Sequence, residues 1–301
     1  MKTLVKSPSD PFSFIAAIPF LDCLAKREDL SEIALLIDED LFFLSEFLSQ
    51  KIFTYSLPKT QKNILGVHKY SVNQHHIFNT ETYFDLESSL SSSYLGYCFK
   101  ARHRIGFKNG WHSFFYHQKQ ELASLPLDEN YLSLYQSYFK DESVENVIKG
   151  EGLTPRSNLL FLNQVPENYI LLLLDLSNEE ERALWLKRLN QFEGQSFIIA
   201  ELSGLIQLDR FYEGLESRNQ YVFEKSPEMS RVVTLAKRTQ GVITNLDWMA
   251  WIMTLYAPKV IYLHQKALTE LKCYHQAPLA LESSPEDQSS ELDKIYDYLK
   301  L

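Results

Sequence analysis

The chain of 301 residues is 45% hydrophobic, so it can bury a large core and has the length of two domains of about 150 residues each. Its net charge of −9, from 39 acidic against 30 basic residues, repels polyanions and disfavours nucleic acid as a general partner. The apolar runs 169–174 and 248–257 fall short of the roughly 20 residues that cross a bilayer. Asp10 and Pro11 interrupt the stretch where a signal sequence would be apolar. We therefore expect a soluble cytoplasmic protein without a transmembrane segment.

Strands and helices alternate along the first half of the chain. The segment 33–37 has the uninterrupted apolar pattern of a fully buried strand, and 11–27 has the apolar face of a helix. The predicted elements, in order, are the strand 3–6, the helix 11–27, the strand 33–37, the helical segment 41–48, the strands 52–57 and 83–86, the helix 88–100 and the strand 104–107.

The second half repeats this alternation after a charged and polar segment, 141–164, whose glycines and proline make it the best linker candidate. We predict strands at 169–174, 196–202, 221–223, 242–244 and 260–263, and helices at 179–191, 228–238 and 248–256. Such alternation predicts an α/β fold with parallel, doubly wound sheets. The predicted domains are 1–160 and 161–280, followed by a linker and a C-terminal helix within 281–301.

Cysteine and histidine spacing gives no sign of a metal centre. Cys23, Cys98 and Cys273 are odd in number, far apart and without a CxxC pair, so neither a disulfide framework nor a zinc site is predicted. The histidines of the N-terminal half include no i, i+4 pair with an intervening Glu, the pattern of metal-dependent hydrolases. We therefore predict no metal and no cofactor.

Several short motifs occur in an order that is typical of one enzyme family. They are Lys2-Thr3-Leu4-Val5-Lys6, Ile18-Pro19-Phe20-Leu21, Phe84-Asp85-Leu86-Glu87-Ser88-Ser89 followed by Arg104-Ile105-Gly106-Phe107, and Val242-Ile243-Thr244-Asn245 through Pro258. With these motifs the chain resembles glycosyltransferase family 9, the ADP-heptose:lipopolysaccharide heptosyltransferases, over nearly its whole length. The resemblance implies a bacterial protein of GT-B architecture, with two Rossmann-like doubly wound domains facing across a cleft.

The resemblance also implies where a catalytic base should lie. In the family a Gly-Asp pair precedes the first helix, and its Asp is the candidate general base for the acceptor hydroxyl. The corresponding position here is Ser13, which cannot take a proton at neutral pH without a base of its own. Asp10, three residues earlier, could replace it. The alternative is structural, namely that Asp10 caps the helix that Pro11 begins.

The donor motif of the family is altered in this chain. Where the family has Asp-Thr-Gly-x-x-His at a helix N-terminus that faces the diphosphate, this sequence has Asn245-Leu246-Asp247-Trp248-Met249-Ala250. The glycine is replaced by a carboxylate and the histidine by alanine, and Trp248 is either bulk in the site or an ordinary core aromatic. At the other phosphate-facing helix, Glu179 and Glu180, together with Glu181, would repel a diphosphate, although they also stabilise the start of that helix.

A local basic cluster is predicted at Arg102, Arg104 and Lys108, in the region that approaches the phosphorylated acceptor in the family. Its alternative is a solvated loop.

The C-terminal segment 291–301 is predicted to be an amphipathic helix. Leu292, Ile295, Tyr296 and Leu299 recur at i, i+3, i+4 and i+7 and form one apolar stripe. A helix this short is not stable in water alone, so the stripe must be docked. We expect it to cross back onto the N-terminal domain, as terminal helices of GT-B proteins commonly do, with the groove of a partner protein as the alternative.

Two functions follow from the resemblance and its departures. The first is a heptosyltransferase-like protein of lipopolysaccharide or envelope-glycan context that has lost donor chemistry and acts as a binding or scaffolding subunit. Its ligand would be a protein partner or a lipopolysaccharide-core glycan, and it could contact the inner-membrane face peripherally. The second is an active glycosyltransferase that carries a sugar from a nucleotide-sugar donor to such an acceptor and uses Asp10 or Asp247. Whether the chain is an enzyme is left open by its sequence.

Overall fold

The computed structural model describes residues 2–74, 80–140, 165–202, 208–225, 228–264, 268–282 and 288–300. The chain divides into two compact units, Met1–Leu153 with Leu271–Cys273, and Thr154–Glu270 with Tyr274–Leu301. The linker candidate 141–164, with the predicted boundary near 160, lies outside the described residues and stays a prediction.

The first unit is built on a six-stranded parallel sheet. Its strands are β1 (Lys2–Lys6), β2 (Glu32–Asp38), β3 (Ile52–Leu57), β4 (Thr82–Asp85), β5 (His103–Phe107) and β6 (Gln118–Gln120), and its helices are α1 (Pro11–Lys26), α2 (Ile64–Gln74), α3 (Leu90–Cys98) and α4 (Leu127–Phe139). The strands lie in the order β3-β2-β1-β4-β5-β6, and all neighbours are parallel. β1 and β2 are buried almost throughout, as strands of a covered parallel sheet are.

The second unit repeats this plan with another six-stranded parallel sheet. Its strands are β7 (Ile170–Leu174), β8 (Ser196–Glu201), β9 (Gln220–Lys225), β10 (Gly241–Thr244), β11 (Val260–His264) and β12 (Leu279–Glu282), and its helices are α5 (Glu179–Leu189), α6 (Leu208–Glu213), α7 (Met229–Ala236), α8 (Asp247–Met253) and α9 (Gln288–Leu299). The order is β12-β11-β10-β7-β8-β9, again parallel throughout.

In both sheets the strand order reverses at the centre. Each chain segment begins at a central strand, winds to one edge, returns to the centre and winds to the other edge. This is the Rossmann order, and its reversal point lies between β1 and β4 in the first unit and between β7 and β10 in the second. The predicted α/β class with two Rossmann-like, doubly wound domains is therefore confirmed.

Some elements differ from the sequence-based expectation. The segment predicted as helical at 41–48 is a 3-10 helix, Glu39–Phe47. Helices α2, α4 and α6 and strands β6 and β12 were not predicted. The apolar residues of α2 include exposed ones, Ile64, Leu65 and Val72, so their spacing did not indicate one buried face. Among the described residues, none of the helices has the length and apolar content that a membrane crossing requires.

The short segment Leu271–Cys273 lies within the range predicted for the C-terminal domain but groups with the first unit. The buried carboxylate of Asp128, in the first turn of α4, accepts hydrogen bonds from the main-chain N–H groups of Lys272 and Cys273 at 2.8 and 2.7 Å. A buried carboxylate needs such donors, and they hold this segment in place.

The C-terminal helix α9 does not cross to the N-terminal domain, so that expectation is wrong. Its stripe of Leu292, Ile295 and Leu299 is part of the apolar core of the second unit, beside β7 and α5. Gly241 at the start of β10 allows this approach, because a Cβ there would overlap the side chain of Leu299. The apolar stripe thus predicted burial correctly but carried no information on which domain would cover it.

A buried ion pair also fixes α9. The Arg188 guanidinium of α5 contacts the Glu291 carboxylate of α9 through Nε at 2.8 Å and Nη2 at 3.1 Å, and both side chains are buried. This two-point contact matches the planar guanidinium to both carboxylate oxygens.

We expect Glu291→Gln to lower the free energy of unfolding by about 3–5 kcal/mol, since it leaves the buried Arg188 charge without its partner. The matched control is Glu193→Gln, which breaks an exposed pair with Arg218 and should cost about 1 kcal/mol or less. Denaturant unfolding of the full chain measures both. Equal small losses would contradict the role given to the buried pair.

Candidate functional site

The carboxyl end of β1 carries a buried lysine at the reversal point of the first sheet. Lys6 Nζ lies 3.1 Å from Asp38 Oδ1 and 2.7 Å from Glu87 Oε2, and it donates to the carbonyl of Ser7 at 2.8 Å. Asp38 is the last residue of β2, and Glu87 follows β4. Parallel pairing therefore brings the ends of three strands together at the edge where doubly wound sheets bind their ligands.

A second lysine extends this network. Lys62 Nζ lies 2.9 Å from Asp38 Oδ2 and 3.7 Å from Asp40 Oδ2. Burial acts to lower the pKa of Lys62, but the hydrogen bond to Asp38 and the attraction of Asp38, Asp40 and Glu87 outweigh it, so the pKa is raised. Lys62 therefore keeps its charge, and each cation of the network is matched by a carboxylate.

The network borders a cavity of about 210 Å³. Its lining combines the charged groups with hydroxyl and apolar side chains: Lys6, Ser9, Asp38, Leu57, Lys62, Val67, Glu87, Ser91, Ser92 and Leu95. Because the charges are already paired with one another, the cavity presents no excess of positive charge to a phosphate.

The loop after β4 is held by a second buried carboxylate, Asp85. Its Oδ1 accepts the N–H groups of Glu87 at 3.0 Å and Ser88 at 2.9 Å, and its Oδ2 accepts the Tyr116 hydroxyl at 2.6 Å. Gly106 makes room for this contact, since a Cβ there would overlap the Tyr116 ring. Two of the sequence motifs, at 84–89 and 104–107, are thus linked through Tyr116.

Burial raises the pKa of Asp85 to about 6, against the lowering effect of the Tyr116 hydrogen bond and with a further increase from the charge of Glu87. Ser88, next in this loop, has the left-handed backbone angle φ of 55° that few non-glycine residues adopt. Ser89 then caps α3 by accepting from the N–H of Ser92 at 3.1 Å. The loop geometry is therefore set by polar contacts of its own side chains.

Lys6, Asp38, Glu87 and Lys62 were not predicted as site residues, although Lys6 and Glu87 belong to two of the sequence motifs. A signal was present, because Lys6 and Asp38 are charged residues that directly follow the apolar runs 4–5 and 33–37 within their strands. In a parallel sheet such residues meet at one edge, and they have to pair if they are buried.

The two candidate catalytic residues lie at the start of α1. Asp10 is exposed, and its Oδ1 accepts the main-chain N–H of Ser13 at 2.9 Å, which is an N-cap interaction. Pro11 follows at the first helical position, where its missing N–H is not needed. Ser13 lies inside the first turn. The two residues are close together, and Asp10 has a structural role that accounts for its position.

In the second unit, Asn245 spans the reversal point between β7 and β10. Its Oδ1 accepts the N–H of Asp175 at 2.9 Å, and its Nδ2 donates to the carbonyl of Asp175 at 2.8 Å. Asn245 follows β10 directly and Asp175 follows β7 directly. Asn245 stands where the family's donor motif has its Asp, and its side chain links the ends of the two strands that flank the reversal point.

The remaining donor-motif positions lie in or beside α8. Asp247 begins the helix, and its Oδ1 accepts the N–H of Trp248 at 2.6 Å. Trp248 and Ala250 are buried. Trp248 is thus mainly a core aromatic.

Side chains of the protein bond main-chain groups at the start of α5. Asn178 caps the helix by accepting the N–H of Glu180 at 2.9 Å, and Arg182 donates to the carbonyl of Leu176 at 2.8 Å. Glu179 and Glu180 are exposed in the first turn, where they interact favourably with the helix dipole.

The three basic residues predicted to bind an anion do not form one cluster. Arg102 and Lys108 flank opposite ends of β5, which places them roughly 20 Å apart at about 3.3 Å per residue. Arg104 donates to the carbonyls of Phe115 at 2.6 Å and Ala101 at 2.8 Å, and Lys108 pairs with Glu121 at 2.7 Å. Arg102 is exposed.

Solved structures with this arrangement include nucleotide-sugar enzymes. The glycosyl transferase family 9 protein from Veillonella parvula DSM 2008 has a TM-score of 0.71 at 15% identity, covering 99% of this chain and 91% of that chain. Escherichia coli ADP-heptose lps heptosyltransferase II has a TM-score of 0.74 at 12% identity, covering 100% and 99%. The chain has the heptosyltransferase fold. The resemblance in sequence to family 9 is thereby confirmed at the level of the fold.

The same fold also serves other chemistry. The UDP-GlcNAc 2-epimerase from Neisseria meningitidis, solved bound to UDP-GlcNAc, has a TM-score of 0.55 at 10% identity, covering 100% of this chain and 92% of that chain. No protein-family model and no curated protein matches the chain. The heptosyltransferase fold alone therefore does not decide the reaction.

Asp85 predicts a pH effect on stability. Its folded-state pKa of about 6 lies above the ordinary 3.8, so the folded chain binds the proton more tightly, and stability decreases as the pH rises from about 4 through 6. Asp85→Asn removes this titration and keeps the contacts, since the amide can donate to the Tyr116 hydroxyl. The variant should gain about 2 kcal/mol relative to the wild type between pH 4 and pH 7.

Denaturant unfolding across this pH range measures the difference between variant and wild type. Asp297→Asn, on the exposed side of α9, is the control for the chemical change itself. If the difference in unfolding free energy between Asp85→Asn and the wild type is the same at pH 4 and at pH 7, the raised pKa of Asp85 is contradicted.

Proposed function

We propose that the chain is a heptosyltransferase-like protein of lipopolysaccharide or envelope-glycan context that acts as a binding or scaffolding subunit and does not transfer sugar. The observation that carries the proposal is the pair of hydrogen bonds by which Asn245 joins Asp175 across the reversal point of the second sheet. A diphosphate bound there would compete with these hydrogen bonds, and their loss leaves the Asp175 main-chain groups without a partner.

Charge supports the same conclusion. Helix N-termini attract phosphate through their free N–H groups. Here α5 has three glutamates in its first turn and α8 begins with Asp247. Two like charges about 4 Å apart repel by about 4 kcal/mol near a protein surface, so a carboxylate at each helix start disfavours a diphosphate.

The two candidate catalytic positions at the start of α1 support the same conclusion. Ser13 occupies the position of the family's catalytic Asp, and Asp10 is engaged with the N–H of Ser13. The Escherichia coli protein of similar fold is named an ADP-heptose lps heptosyltransferase, and that name is the source of the glycan context proposed here. The proposed ligand is a protein partner or an envelope glycan.

ADP and ADP-heptose should give no saturable heat in calorimetric titrations up to millimolar concentration, with Escherichia coli heptosyltransferase II as the positive control. A variant that combines Asn245→Gly with Glu179→Gln and Glu180→Gln should gain measurable ADP affinity, because both the filled crevice and the repulsion are relieved. Micromolar binding by the wild type would overturn the proposal. A variant that gains nothing would show that these side chains are not the obstacle.

The alternative is an active glycosyltransferase with another nucleotide-sugar donor, favoured by the exposed carboxylate of Asp10 at the family's catalytic loop. Transfer assays with a panel of nucleotide sugars and lipopolysaccharide-core acceptors address it. Asp10→Asn is the informative variant, because Asn caps a helix as well as Asp but cannot act as the base. Activity in the wild type that is lost in Asp10→Asn would establish the alternative.

A further inference from the structure

The first unit carries a continuous row of aromatic rings across α2, α3 and the 3-10 turn Trp111–Phe115. His68 of α2 stacks on Tyr94 of α3 with ring centroids 6.2 Å apart, and Tyr94 lies 5.5 Å from Phe115. Phe115 contacts Phe114 at 4.1 Å, and Phe114 stacks on Trp111 at 5.8 Å. The rings thus join three elements into one surface.

The outer members of this surface are exposed to solvent. Trp111 is 69% exposed, Phe114 58% and Tyr97 54%, and Leu65 and Val72 of α2 are 82% and 62% exposed. Leu65 and Val72 lie three and four residues from His68, so they share its helix face. We call this surface the aromatic face; its members are Leu65, His68, Val72, Tyr94, Tyr97, Trp111, Phe114 and Phe115.

Large exposed apolar patches mark interaction sites rather than ordinary surface. The ion network and its cavity are built from other residues, namely Lys6, Asp38, Glu87 and Lys62, so they do not explain the aromatic face. The aromatic face is therefore treated as an interaction surface, and the charge around it indicates the chemistry of the partner.

The charge around the aromatic face is positive. The segments 59–74 and 88–120 contain Lys and Arg residues but no Asp or Glu, although the whole chain has a net charge of −9. Lys69, Lys100 and Arg102 are exposed and form no ion pair with a carboxylate among the described residues. Lys59, Lys62 and Lys108 pair with acidic side chains and are not counted.

These cations lie beside the apolar members. Lys69 is one helical turn from Leu65, and Lys100 follows Tyr97 by three residues. The Arg104 guanidinium lies 5.8 Å from the centre of the Tyr97 ring. Exposed aromatic rings therefore lie beside basic residues that form no ion pair with a carboxylate in the part of the chain that the structure describes.

We propose that the aromatic face binds an anionic lipid bilayer. Trp and Tyr favour the headgroup region because their rings are apolar and their polar atoms stay hydrated. Lys and Arg next to them gain from the negative lipid surface. A protein interface is less consistent with this composition, since lysine is depleted from the cores of such interfaces. The inference does not depend on whether sugar transfer survives.

The test uses the full chain with vesicles of phosphatidylcholine alone or mixed with phosphatidylglycerol. Co-sedimentation should occur with the anionic vesicles and weaken as salt is raised. Intrinsic fluorescence adds a local readout, because Trp111 is exposed whereas Trp185, Trp248 and Trp251 are buried. Binding should shift the emission to shorter wavelength, and Trp111→Phe should remove the shift while most binding remains.

Two variants separate charge from apolar contact. Lys100→Glu with Arg102→Glu should weaken binding to anionic vesicles by at least about tenfold, at about fivefold for each cation lost. Trp111→Ser with Phe114→Ser should weaken it as well, and the effect should persist at high salt.

The control variants make the same kinds of substitution outside the aromatic face. Lys187→Glu with Lys294→Glu reverses two exposed charges in the second unit, and Phe53→Ser removes an aromatic ring that is 54% exposed on the edge strand β3. Thermal unfolding verifies that every variant is folded. The proposal is wrong if the wild type ignores anionic vesicles, if the face variants bind as the wild type does, or if the controls lose as much binding. Capture of a soluble protein partner by the face, without vesicle binding, would also overturn it.

Discussion

The side-chain amide of Asn245 ties the end of β10 to the end of β7 through both of its polar atoms. These strands flank the point at which the sheet order reverses, where doubly wound domains open a crevice for a ligand. The amide satisfies main-chain groups that would otherwise need water or a ligand as partner. This pair of hydrogen bonds therefore stabilises the centre of the second sheet, and Asn178 in the same way satisfies a main-chain N–H at the start of α5.

At the reversal point of the first sheet, the polar groups are paired through charge. Lys6 lies between Asp38 and Glu87, and Lys62 completes the network on the other side of Asp38. Breaking a buried network of this kind is costly because each remaining charge loses its compensation. Asp85 adds a carboxylate whose contact with Tyr116 depends on the absence of a side chain at Gly106. Polar groups of the chain itself therefore pair with one another at both reversal points.

Local patterns predicted the sheets well, because apolar runs of strand length alternate with amphipathic helices in most of the chain. They failed where partners are distant in sequence. Lys6 and Asp38 meet only through the parallel pairing of β1 and β2. The stripe of α9 indicated burial without identifying the covering domain. Arg104 was predicted to bind an anion, yet its guanidinium donates to main-chain carbonyls. Helix α2 was not predicted because it mixes buried apolar residues, Val67 and Tyr70, with the exposed Leu65 and Val72 of the aromatic face.

Hydrogen exchange at the main-chain N–H of Asp175 tests the central claim most directly, because this group is bonded to Asn245 Oδ1. The account predicts slow exchange in the free protein, fast exchange in Asn245→Ala, and no change in the wild type when ADP is added at millimolar concentration. Rapid exchange in the free protein, or exchange that slows when ADP is added, would contradict it.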